Sequence, residues 1–373
     1  MKTGTLTFHA PNNNGSFFQA YALQTVLRDQ FAIENKIINF YSDKQESQYA
    51  VFRRPHSIGD LARNLISLLH YKGFKEKIER FEKMRSAHLK MTARYRTEKE
   101  VYDNLEEFEA LICGSDQIWN TEARDFSEVY MLSDMAKKKI AYAVSCGSHI
   151  EDVDKKQILD AANRFDFVSV REQALYNYLH SLKVDVTKVL DPTLLLKKQS
   201  YSALQDSKSV VEGSYIFLYT INYDDQILET ARNLSKYYNV PVYTPFTGYS
   251  GMKCYKYGIN ILYNVGPAQF LSLIDQALIT CSNSFHGIAF SIIFHKNFYR
   301  LCNIDTDGKK KRDDRIDGIL DELRLVNRNI CQLDAKFDKS EIDYTGVEER
   351  LQLLRDESID YLRKALFGEG KGG

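Results

Sequence analysis

The stretch Ser-Asn-Ser-Phe-His-Gly at residues 282–287 runs directly into Ile-Ala-Phe-Ser-Ile-Ile-Phe. Phe285, Ile288, Ala289, Ile292 and Ile293 recur at helical spacing, so 284–294 is expected as a core helix capped by Ser282 or Asn283. His286 falls about 100° round that helix from Phe285, off the apolar stripe and at the positive end of the helix dipole. There the dipole favours neutral imidazole until a dianion binds, which suits a proton donor that works only with its substrate present. The plainer alternative is a satisfied core histidine. His295, near the helix end, reads as structural.

Three further stretches hold polar groups that suit a site. In Ser-Val-Arg-Glu-Gln (169–173), Arg171 follows the apolar run FVSV, and its fixed fork of donors suits a carboxylate or phosphate. A buried ion pair with Glu172 is the competing reading. In CGSDQIWN (113–120), Asp116 sits where a strand meets a helix that Ser115 or Asp116 would cap, and Trp119, the one tryptophan, anchors it. In NNNGSFFQAYALQ (12–24), the loop at Asn13, Asn14 and Gly15 opens a helix whose N-terminus can hold an anion. The absence of a G-x-G-x-x-G fingerprint sets dinucleotide binding aside.

The elements that must position these groups alternate in α/β fashion. Strands are expected at GTLTFH (4–9), KIINFY (36–41), EALICG (109–114), KIAYAVS (139–145) and FVSV (167–170). A second series follows at SYIFLYT (214–220), VPVYTP (240–245), LITCS (278–282) and NFYRL (297–301). Residues 57–90 read as a charged helical hairpin, 197–213 as a polar linker, and 347–366 as a final amphipathic helix. Two such series make two domains with a cleft at the carboxyl ends of their strands.

Composition narrows the class. The 373 residues exceed what one core usually serves. Fifty Lys and Arg balance fifty Asp and Glu, against a dedicated nucleic-acid binder. No apolar run is long enough to span a bilayer, and the first residues lack a signal-peptide core. The six cysteines are spread out with no C-x-x-C pair, and are expected as buried thiols of a cytosolic protein, neither disulfides nor zinc ligands. No metal-ligand cluster stands out, so no essential metal is expected.

Taken in order, NNNGSFFQAYALQ, GSDQIWN, AYAVSCGS (141–148), SVREQ, DPTLLL (191–196) and SFHGIAFSIIFHKNF (284–298) resemble the polysaccharide pyruvyl transferase family over roughly residues 4–300. The resemblance implies an α/β fold of two Rossmann-like domains in a GT-B type arrangement with an interdomain cleft. It implies transfer of pyruvate from phosphoenolpyruvate onto two hydroxyls of a sugar, as a cyclic ketal, in assembling a surface polysaccharide on lipid-linked intermediates. Domains are then expected at 1–197 (acceptor side, with a helical insertion at about 57–105) and 198–340 (donor side), with a C-terminal helix and tail at 341–373.

On this footing His286 is the general acid/base and Arg171 the cation that holds the donor. Ser284, Gly287, Lys309, Lys310 and Arg315 fall on the donor side. Asn13, Asn14, Gly15, Asp116, Gln117, Ser145 and Gly147 fall on the acceptor side. Phosphoenolpyruvate serves as substrate and no cofactor is expected. A cytoplasmic chain, meeting the inner membrane face only transiently, is implied. One departure matters: the family's Arg-Leu-His-Gly is Ser-Phe-His-Gly here, so Ser284 stands where an arginine would help hold the donor. Two other readings stay open, a GT-B type glycosyltransferase using a nucleotide sugar and a saccharide-binding relative without turnover.

Overall fold

A computed structural model describes residues 1–52, 54–55, 57–132, 137–147, 149–206, 208–302, 304, 312–331 and 337–368. Their contacts divide the chain into two units. The first comprises Met1–Ala50, Arg85–Leu196 and Glu349–Gly373; the second comprises Val51–Met84 and Lys197–Glu348.

In the first unit β1 (Lys2–Leu6), β2 (Glu34–Ile37), β3 (Ala110–Cys113), β4 (Lys138–Val144), β5 (Phe167–Val170) and β6 (Val186–Lys188) form one sheet in the order β2-β1-β3-β4-β5-β6. In the second, β7 (Ile216–Tyr219), β8 (Val242–Pro245), β9 (Asn260–Leu262), β10 (Ile279–Ser282), β11 (Phe298–Leu301) and β12 (Asn329–Ile330) take the order β12-β11-β10-β7-β8-β9. All pairings are parallel. Central strands such as Ala110–Cys113, Ile216–Tyr219 and Ile279–Ser282 are buried throughout, which is why the first two read as continuous apolar runs and not as alternating ones.

Each sheet reverses its winding once. In the first unit β1 and β3 flank the reversal, and in the second β7 and β10 do. Ligands of open α/β sheets bind at the carboxyl ends of the strands beside such a point.

The structure corrects several expectations. Residues 57–105 do not form one insertion of the first domain. The helices Ile58–Leu69 and Tyr71–His88 meet at His70, and residues 51–84 pack with the second unit. There Lys77 Nζ donates to Phe246 O at 3.1 Å, Asn264 Nδ2 donates to Glu76 at 2.8 Å, and Phe74 packs on Phe246. The expected linker belongs to the second unit too. It contains a helix at Lys198–Ser202, and its polar residues have fixed partners, Lys198 with Asp275 and Asp206 with Gln269. The last helix, Tyr344–Phe367, returns to the first unit, where Tyr361 donates to Ala141 O and Arg355 to Leu194 O.

The six cysteines are not all thiols. Cys302 and Cys331 are disulfide-bonded, with Cα atoms 4.6 Å apart. They are the next rung after the pairs Arg300↔Asn329 and Leu301↔Ile330 of β11 and β12. Cys113, Cys146, Cys254 and Cys281 are buried free thiols. Burial pushes the Cys254 thiol up to about 12 and raises that of Cys281, so both are inert packing groups.

Candidate functional site

In the first unit the loops after β1, β3, β4 and β5 converge with the start of the helix Asn14–Phe31. Asn13 is that helix's cap, its Oδ1 accepting from Gly15 and Ser16 N–H, so Asn14 and Gly15 lie in the helix's first turn and not in the loop before it. Ser16 Oγ donates to Asp116 at 3.1 Å, and Thr7 Oγ1 donates to Ser115 O at 2.7 Å. These contacts join the two strands at the winding reversal. Asn14 is buried, and its Oδ1 has no hydrogen-bond partner among the described residues. A sugar hydroxyl is the kind of donor such an acceptor wants.

No helix follows Cys113. Gly114 (φ 119°) and Asp116 (φ 77°) turn the chain sharply, and a Cβ on Gly114 would meet Tyr142 O at 2.1 Å. Asp116 therefore caps nothing. Its carboxylate accepts from Ser16 and from Gln117 N–H. Trp119 does anchor the segment, packed edge-on to Phe165 in the core. Gln117 accepts from Asn120, and Ser145 Oγ accepts from Gly147 N–H, with Gly147 itself at φ 98°.

Arg171 is engaged by the chain's own groups. Its guanidinium donates to Asp191 at 2.6 Å, to Ser145 at 3.1 Å and to Glu172 at 3.2 Å, and lies 3.9 Å from Asp116. Asp191, fully buried, also accepts from Ser115 and Thr193. Burial alone would lower the Arg171 pKa, but the carboxylates of Asp191, Glu172 and Asp116 outweigh it and hold the group charged. Three carboxylates around one cation make this a poor receptor for a further anion. The ion-pair reading of Arg171 therefore stands, with Asp191 nearer than Glu172. What Arg171 does is fix Ser145 and Asp116.

Sequence reading missed two neighbours here, His9 and Arg85. Arg85 donates to Asn12 Oδ1 and Pro11 O, bracing the loop before Asn13. His9 is buried at the end of the β1 loop, with Nδ1 bonded to Thr7 O and Nε2 3.0 Å from the Asn39 amide group. Burial depresses its imidazole below the ordinary 6.5, assisted by the Arg85 charge and opposed by those two bonds. The unfolded chain thus binds a proton the folded chain refuses. The stability this supplies is present above the unfolded value and is lost as pH falls through it. Chemical denaturation from about pH 7.5 down to about 5 should show stability falling, with a shallower slope in His9→Gln; equal slopes would reject the assignment.

In the second unit the loops after β7 and β10 meet at the other winding reversal. Asn283 Oδ1 accepts from Thr220 Oγ1 at 2.9 Å and Ile221 N–H at 3.1 Å, while its Nδ2 donates to Asn222. Ser282 Oγ donates to Tyr219 O and accepts from Ser284 N–H. Neither caps the following helix as expected. The cap is Ser284, with no side-chain bond, and the helix is Phe285–Ile293. The positive end of this helix therefore begins at the loop cluster, with no oxygen from the cap's side chain bonded to it.

His286 sits in the first turn, edge-on to Phe285 and 9% exposed, with its Nε2 buried. Gly287 is required by close approach, since a Cβ would lie 2.1 Å from Ser282 Oγ and 2.9 Å from Tyr219 Cδ1. Gly287→Ala should therefore cost about 1–3 kcal/mol in denaturant titrations, and an unchanged midpoint would mean the turn yields freely.

Of the other donor-side residues, Arg315 is turned onto Asp313, donating to both carboxylate oxygens at 2.9 and 2.6 Å, so it does not present a free fork. Lys309 and Lys310 lie outside the described residues. The cation the sequence did not reveal is Arg300, on β11 in register with Ser282. It is buried and lies 3.3 Å from Asp317. Its Nη1 donates to Asn329 at 3.1 Å, and its Nε has no partner among the described residues.

The family model described as Polysaccharide pyruvyl transferase matches residues 13–303. No curated protein matches the chain in sequence. Among solved structures, the chain is similar to UDP-GlcNAc 2-epimerase of Methanocaldococcus jannaschii in complex with UDP-GlcNAc and UDP, at 12% identity and TM-score 0.53, over 98% of this chain and 99% of that one. It is similar to the UDP-GlcNAc 2-epimerase of Neisseria meningitidis at 11% identity and TM-score 0.53, covering 97% and 94%. That of Rickettsia bellii gives 10% identity and TM-score 0.53, covering 99% and 100%. At these identities the likeness carries the fold alone: α/β, with two Rossmann-like domains of GT-B type, as the sequence led us to expect.

Proposed function

The chain belongs to the polysaccharide pyruvyl transferase family, and from that premise we propose that it moves pyruvate from phosphoenolpyruvate onto two hydroxyls of a sugar in a lipid-linked polysaccharide precursor. The observation that carries the reading is the placement of the matched segments. Asn13–Ser16 with Asp116, and Asn283 with His286, each gather at the winding reversal of their own sheet.

The chemistry then divides. A hydroxyl adds to C2 of the enol phosphate and gives up its proton as C3 takes one. Phosphate leaves as hydrogen phosphate and the second hydroxyl closes the ketal, so the two hydroxyl protons balance the one placed on C3 and the one carried off by phosphate. His286 delivers the proton to C3. The positive end of the helix Phe285–Ile293 meets the donor's anionic end, and Arg300 supplies the charge that Ser284 does not. In the first unit Asn14 Oδ1 and Asp116 accept from sugar hydroxyls, with Gln117 and Gly147 shaping the loop. Arg171 is a positioning residue that acts through Ser145 and Asp116. No metal takes part, so the rate should survive chelation.

The test incubates the full chain with phosphoenolpyruvate and saccharides, free and lipid-linked, and reads ketal formation by mass spectrometry against phosphate release. One phosphate per ketal is expected. Turnover of a UDP-sugar with no phosphate from phosphoenolpyruvate would replace this reading with a glycosyltransferase. Saccharide binding without either turnover would leave a binding protein.

A further inference from the structure

The helix Ile58–Leu69 is built inside out. Its sequence, IGDLARNLISLL, places Ile58, Leu61, Leu65, Leu68 and Leu69 on one face. Those residues are 86%, 56%, 58%, 64% and 72% exposed. The polar residues of the same helix face the protein. Ser67 is buried and donates to Val51 O, and it also bonds Tyr249 Oη. The Arg63 guanidinium lies over the Tyr249 ring at 4.6 Å. Five large aliphatics in one exposed stripe mark a surface that something covers.

Charge says what. Residues 51–84 hold eight Lys and Arg against four Asp and Glu, in a chain whose fifty basic and fifty acidic residues balance as a whole. Arg54 stands exposed before the helix, and Lys72 and Lys75 after it. Phe52 and Tyr71, each nearly half exposed, bring their rings within 5.9 Å at one end of the stripe. They border a cavity of about 500 Å³ that Val51, Lys75, Ile78 and Glu79 complete. Apolar stripe, basic ends and border aromatics together are the pattern of a helix lying in a lipid interface.

We infer that this face docks the protein on an anionic lipid bilayer, the leucines entering the acyl boundary and the basic residues meeting headgroups. A second copy of the chain fits less well. Two-fold pairing of the stripe would set basic ends against basic ends, and lysine is depleted in protein interfaces. The inference does not rest on the reaction proposed above, and its test uses neither phosphoenolpyruvate nor sugar.

The full chain is floated with vesicles of phosphatidylcholine alone and with vesicles containing equal phosphatidylglycerol, at low and high salt. Wild type should float with the anionic vesicles only, and less at high salt. Leu65→Glu/Leu68→Glu should reduce partitioning by about tenfold or more, and Arg54→Glu/Lys72→Glu comparably, with unfolding midpoints unchanged because the side chains are exposed. Failure of wild type to float, or flotation undiminished in the leucine variant, would overturn the inference. So would a wild-type dimer that the leucine variant makes monomeric.

Discussion

Arg171→Met should destabilise the first unit by about 3–5 kcal/mol. Removing the guanidinium strands Asp191 and Glu172, both almost wholly buried, with an uncompensated charge between them. Asp191 also accepts from Ser115 and Thr193, so the loss reaches the loops after β3 and β6 at once. Trp119, the single tryptophan, lies in the core of this unit and reports its unfolding by fluorescence. Adding Asp191→Leu to Arg171→Met should recover part of the loss, because an apolar replacement of a buried pair leaves no orphan charge. A loss below about 1 kcal/mol for the single variant would mean that the cluster relaxes or takes up water, and that Arg171 is not the post that holds Asp116 and Ser145.

The surroundings of Arg171 are legible in the sequence only in part. The run FVSV followed by Arg171 located a strand and its polar end correctly. It could not say that Asp191, twenty residues on, would take the guanidinium, because β6 is three residues long and the turn after it is set by tertiary packing. Strands buried on both faces were legible because continuous apolar runs leave few alternatives. The edge strands β9 and β12, three and two residues long, left no pattern, and with β12 went the Cys302–Cys331 pair that its register creates.

Caps were misplaced for a related reason. Asn283 and Asp116 have the side chains of good caps, but the loops across the winding reversals compete for them, Thr220 and Ile221 for one and Ser16 for the other. The helix Ile58–Leu69 was visible as a helix, yet which of its faces the protein covers depends on Tyr249, far along the chain. His9 and Arg300 went unseen because nothing beside them in sequence marks them. Strand order alone sets Arg300 across from Ser282.

The second large effect concerns His286. It occupies the first turn of a helix whose every residue is buried, directly after a loop whose hydrogen bonds are all internal to the β7–β10 reversal. That rigidity gives a proton donor a fixed direction, and loss of a well-placed general acid lowers turnover by about 10²–10⁴-fold. Glutamine keeps the size and a hydrogen-bond donor but cannot deliver a proton. It should therefore spare donor binding while lowering kcat, whereas Arg300→Met should act mainly on the KM for phosphoenolpyruvate.

The decisive measurement is acceptor-dependent phosphate release from phosphoenolpyruvate by wild type and His286→Gln, with donor affinity followed in parallel by calorimetry. The account predicts a fall of at least about a hundredfold in release at nearly unchanged affinity. Release within a few-fold of wild type would contradict it.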